Sequence, residues 1–72
     1  MTWQWKQIEF SWVCGEPNLG CGVFETQNGW EANVVIFNEI YGMPPRATKE
    51  EAMCEAENSF DKLYQSYHEL VN

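Results

Sequence analysis

The chain has no apolar run approaching the ~20 residues that cross a bilayer, so a spanning helix is excluded. No basic stretch followed by an apolar one opens it, so no secretory leader is expected, and the default location is the cytoplasm. Positive charge is scarce. Four Lys and Arg against eleven Asp and Glu leave a formal −7 on 72 residues. Such a field repels phosphate backbones and anionic lipid, and disfavours direct binding of nucleic acid or membrane. Cysteine occurs three times and histidine once. An odd, small cysteine count gives no disulfide framework, and in a reducing compartment all three remain thiols. Internal repeats, low-complexity tracts and a second domain are also missing.

What the sequence has in quantity is aromatic side chain and acid. Four Trp, four Phe and three Tyr supply large buried areas per residue, which a chain this short needs to build a core. The excess acid keeps a small protein soluble, and it also suits a basic partner.

The chain is organised around its last third, Thr48 to Val71. Thr48-Lys49-Glu50-Glu51 has the form of a capping box: the Thr48 hydroxyl accepts from the Glu51 N–H, and the Glu51 carboxylate reaches back to the Thr48 N–H. At about 100° per residue, Ala52, Ala56, Phe60, Leu63, Tyr67 and Leu70 fall in one arc, widened by Met53, Tyr64 and Val71. Glu50, Glu57, Asp61 and His68 follow its far edge, and Glu51, Glu55 and Glu69 lie on the polar face. A helix of this kind does not bury its stripe alone, so residues before it must supply a surface.

Those residues read as strands. The first covers about Gln4 to Cys14. Trp3 and Trp5 alternate in one phase and Ile8, Phe10 and Trp12 in the other, so a bulge or the true strand start is expected near Lys6–Gln7. Gly15 to Gly20 is turn chemistry, with Pro17 and Asn18 inside it. A second strand runs from about Gly22 to Gln27, and Asn28-Gly29 signals a hairpin into a third, Trp30 to about Tyr41. Two registers fit this hairpin. Burial favours a three-residue turn with Gly29 left-handed, pairing Thr26 with Trp30 and Phe24 with Ala32, because the alternative puts Glu25 and Gln27 on the face of Trp30, Ala32 and Val34. Val35, Phe37 and Tyr41 then form a second apolar face, covered by Trp3 and Trp5 or free for a partner. Gly42-Met43-Pro44-Pro45 is a stiff connector. The expected fold is α+β: one domain over residues 1–72, a three-stranded antiparallel meander with a C-terminal amphipathic helix on one face.

Three chemistries are weighed against this plan. Three Cys and His68 match the ligand count of a zinc site, but Cys54 and His68 are roughly 21 Å apart along one helix, and six residues separate Cys14 from Cys21. No metal or cofactor is expected. Cys14 and Cys21 face one another across a loop and suit a disulfide only under oxidising conditions; Cys54 falls on the polar side of the helix. His68 reads as a helix-terminal residue matched to the dipole rather than as half of a Cys–His dyad. Glu50, Glu57 and Asp61 read as a solvated edge rather than as paired catalytic carboxylates. No catalytic residue is assigned, and the protein is expected not to be an enzyme.

What remains is an interaction module. Glu50, Glu57 and Asp61 steer it to a basic protein surface, with Val35, Phe37 and Tyr41 as anchors. Small size, excess acid, no catalytic set and a strand–strand–strand–helix plan are together similar in type to phage- or prophage-encoded inhibitors, such as anti-CRISPR proteins and host-polymerase inhibitors. That likeness implies an acidic mimic of nucleic acid that occupies a basic groove, and it transfers no residues. The alternatives are a structural homodimer through the free sheet face and a thiol-responsive protein using Cys14 and Cys21.

Overall fold

A computed structural model describes residues 4–71, with side chains from residue 4 to residue 67. The chain is α+β. Five antiparallel strands in the order β1-β2-β3-β4-β5 are followed by one helix: β1 Lys6–Ile8, β2 Ser11–Glu16, β3 Leu19–Thr26, β4 Gly29–Ile36, β5 Glu39–Gly42 and α1 Lys49–Val71. The meander with a C-terminal helix stands, but the first and third expected strands each divide into two.

The reason lies in the turns. Ile8 pairs with Ser11, Glu16 with Leu19, Thr26 with Gly29 and Ile36 with Glu39, so every connection has two residues. The phase change between Trp5 and Trp12 is therefore a hairpin at Glu9–Phe10, where Glu9 has φ 56°, and not a bulge. Strand β4 ends at a turn with positive φ at both Phe37 and Asn38 (46° and 74°), the handedness a tight hairpin prefers. Partners across each turn sum to an odd number, so the buried parity changes from strand to strand. Trp12 and Cys14 face the helix from β2, Leu19, Cys21 and Val23 from β3, Trp30, Ala32, Val34 and Ile36 from β4, and Tyr41 from β5.

Register corrects one expectation. Val23, not Phe24, pairs with Ala32, and Glu25, not Thr26, pairs with Trp30. Gly29 is left-handed (φ 115°) but stays in the ladder without an extra residue. The register follows from what it buries: Cys21 and Val23 lie opposite Val34 and Ala32, and all four are inaccessible. Phe24 is left on the other face, across from Glu31.

The helix begins as its sequence indicates. The Thr48 hydroxyl accepts from the Glu51 N–H at 3.2 Å and donates to the Glu51 carboxylate at 3.0 Å, so that carboxylate reaches the hydroxyl instead of the Thr48 N–H. Ala52, Ala56 and Phe60 are buried against the sheet, Met53, Leu63 and Tyr64 pack around them, and Phe60 stacks on Tyr64 with centroids 5.7 Å apart. The two buried alanines let the helix lie close over Cys21, whose thiol donates to the Ala56 carbonyl at 3.6 Å. Leu70 and Val71 belong to the helix, but their expected burial lies outside the described side chains. Among the described residues no helix is long and apolar enough to cross a membrane.

Candidate functional site

Three surfaces follow from this frame: the acidic edge of the helix, the sheet face it leaves open, and a cleft where the helix ends over the Phe37–Asn38 turn.

The helix brings Glu50, Glu57 and Asp61 along one edge, seven and four residues apart. Glu50 and Asp61 are exposed. Glu57 is half-buried and accepts from the Trp5 indole N–H at 2.6 Å, so it also ties the N-terminal segment to the helix. Trp5 therefore packs on the helix side of the sheet and does not cover the opposite face; Trp3 lies outside the described residues. The one ion pair among the described residues joins Arg46 to Glu55, which raises the guanidinium pKa, chiefly through the hydrogen bond. Lys49 is spent otherwise, its ammonium 4.2 Å from the Trp12 ring centroid. Glu50, Glu57 and Asp61 are thus left without a cation partner among the described residues.

Val35, Phe37 and Tyr41 do not form one patch. Val35 lies on the open face beside Ile40 of β5, whereas Tyr41 pairs with Val34 and lies on the helix side. Phe37 sits in the turn and packs on Tyr67, centroids 4.8 Å apart. The open face instead presents Ile8 and Ile40, 50% and 70% exposed, beside half-buried Val13 and Val35. A groove of about 610 Å³ lined by Ile8, Val13 and Val35 runs over Gly20 and Gly22, which have no side chains to fill it. Ile40 escapes a reading in which residues 30–41 are one strand. The signal that finds it is Asn38, a residue suited to positive φ, which ends β4 and reverses the parity that follows.

The cleft at the far end holds about 360 Å³ between Ile36, Phe37, Glu39, Tyr41, Leu63 and Tyr67. The Tyr41 hydroxyl donates to the Glu39 carboxylate at 3.1 Å, and that bond raises the hydroxyl pKa. The Phe37 N–H donates to the Asn18 carbonyl at 2.8 Å, tying the β4–β5 turn to the β2–β3 turn.

Cys14 and Cys21 are cross-strand partners, buried and unlinked, and Cys54 is exposed. Burial pushes both buried thiols up, and for Cys21 the adjacent Cys14 adds to it. Thiols so held are poor nucleophiles. Among the described residues no three His, Cys, Asp or Glu side chains are placed to hold a metal ion. His68 lies within the helix, its side chain outside the described set.

No protein-family model, no curated protein and no solved structure matches this chain.

Proposed function

We propose that this protein is a small acidic interaction module that acts by occupancy rather than catalysis. It docks on a basic surface of a nucleic-acid-binding protein in the cytoplasm, as an inhibitor of the phage or prophage type would. The observation that supports this most is the carboxylate edge Glu50, Glu57 and Asp61, unneutralised among the described residues on a chain of net −7. Charge of one sign along a rigid rod raises the encounter rate with an oppositely charged groove, and it repels nucleic acid and anionic membrane.

The test is retention of proteins on the immobilised chain at about 50 mM and about 200 mM salt, with the bound fraction identified by mass spectrometry. The expected result is retention of basic proteins that salt weakens and that Glu50→Lys/Asp61→Lys abolishes. Glu57 is left intact in this variant because it also holds Trp5. No retained protein at low salt, or retention indifferent to the charge reversal, overturns the reading.

A second reading, a homodimer, is favoured by the open sheet face, where Ile8, Val13 and Val35 line a groove and Ile40 is exposed beside Val35. Light scattering at micromolar concentration separates the two: a mass of 16.8 kDa, twice 8.4 kDa, supports the dimer and 8.4 kDa excludes it.

A further inference from the structure

We infer that the cleft at the C-terminal end of the helix is an arginine-binding subsite: it takes one guanidinium side chain of the partner between the Phe37, Tyr41 and Tyr67 rings, against the Glu39 carboxylate. The inference rests on the reading of a basic partner and names what that partner must present.

Four observations converge there. The first is shape: a cleft of about 360 Å³ accommodates a long side chain but not a helix or strand. The second is its walls. Phe37 and Tyr67 remain 42% and 40% exposed although their rings touch, so π surface is left facing the opening. A guanidinium stacks on such surface with less desolvation than an ammonium. The third is charge. Glu39 lies in the cleft, fixed by the Tyr41 hydroxyl, and no Lys or Arg among the described residues lines it. Lys6 is on β1, Arg46 is paired with Glu55, Lys49 is on Trp12, and Lys62 lies on the outer helix surface. The fourth is strain. A phenylalanine at φ 46° holds a conformation that Asn or Gly adopts at lower cost, in a turn whose next residue is already Asn38. Asn at 37 would ease the turn but would lose the ring that packs on Tyr67 at the rim of the cleft.

The test is a titration followed by amide NMR, with Nα-acetyl-arginine amide as probe, its lysine counterpart, and its citrulline counterpart of equal shape and no charge. The expected result is saturable shifts at Phe37, Glu39, Tyr41 and Tyr67 with a dissociation constant of ~1 mM or weaker, as suits a fragment this small. The lysine probe binds several-fold more weakly and citrulline not at all. Glu39→Gln weakens arginine binding at least about fivefold while amide dispersion elsewhere is unchanged, since Gln keeps the shape of Glu; Phe37→Asn, which suits the turn but gives up the contact with Tyr67, weakens it at least as much. Equal binding of citrulline, binding of lysine as tight as that of arginine, or shifts spread along Glu50 and Asp61 and indifferent to both variants would each overturn the assignment. A failed titration removes the cleft and leaves salt-sensitive retention on the acidic edge intact. A failed retention with a successful titration does the reverse.

Discussion

Cys14 and Cys21 show how much a position in the sheet decides about a side chain. Both face the helix, each 5% exposed, whereas Cys54 sits on the solvent side of α1. Alkylation needs a thiolate, and burial disfavours it. With iodoacetamide at about pH 8, one thiol per chain is expected to react at the rate of an ordinary exposed cysteine. The other two react only when denaturant is added, as intact mass resolves. Three thiols labelled in the native state would contradict the packing. The same burial gives the fold a pH dependence. The folded thiols hold their protons above the ordinary thiol value of 9.0, near which the unfolded thiols ionise. Below that pH their contribution to stability is complete. Above it the unfolded chain binds fewer protons, so stability falls as pH rises towards the folded pKa values. Unfolding midpoints measured from about pH 8 to about pH 10.5 are expected to fall more steeply in the wild type than in Cys14→Ala/Cys21→Ala. Equal slopes would place both thiols in water.

At the scale of elements, turns and helix differ in what the sequence discloses. The helix was legible because its determinants are local and periodic: Thr48 and Glu51 cap it, and Ala52, Ala56 and Phe60 repeat on one face. The sheet was legible in type but not in division. Two of its hairpins open on Glu9 and Phe37, residues with no preference for the positive φ they adopt, and only Asn38, second in the later turn, marks either of them. The acidic edge of the candidate site was readable for the same reason as the helix. The cleft was not, because it needs Phe37 in a turn, Tyr41 on the strand that follows and Tyr67 brought over them from the helix. The Asn28-Gly29 hairpin was readable, though its register was not, because the register is set by which residues of β3 are buried, Cys21 and Val23 opposite Val34 and Ala32. Gly29 pairs with Thr26 at one end of β4, and Trp30 exchanges backbone hydrogen bonds with Arg46 at 2.7 and 2.8 Å. A Cβ on Gly29 meets the Arg46 carbonyl oxygen at 2.3 Å, at φ 115°. Gly29→Ala is therefore expected to cost more than about 2 kcal/mol, combining strained backbone with a backbone clash. A denaturant midpoint within experimental scatter of the wild type would show that the connector yields without loss.

For the whole molecule, one set of carboxylates acts on two equilibria, and salt separates them. Eleven acids against four bases make the folded chain repel itself, most strongly along α1, where Glu50, Glu51, Glu55, Glu57 and Asp61 lie within three turns. Among the described residues only Glu55 has a cation partner in an ion pair, so little of this repulsion is cancelled there. Screening at about 0.5 M salt shortens the reach of each charge to a few Å, against about 10 Å at 0.1 M. The folded state should then gain more than the expanded chain, in which the same charges already lie further apart. Stability is expected to rise as sodium chloride increases from about 20 mM to about 500 mM, with an unfolding midpoint several degrees higher. Attraction to a basic partner depends on the same charges with the opposite sign, so association weakens across that range while the fold strengthens. Glu50→Lys/Asp61→Lys tests both together. Removing two negative charges and adding two positive ones should flatten the salt dependence of stability and of association. A variant that loses binding but keeps the full salt response of its fold would mean that the repulsion lies elsewhere on the surface, and that the helix edge contributes to docking alone.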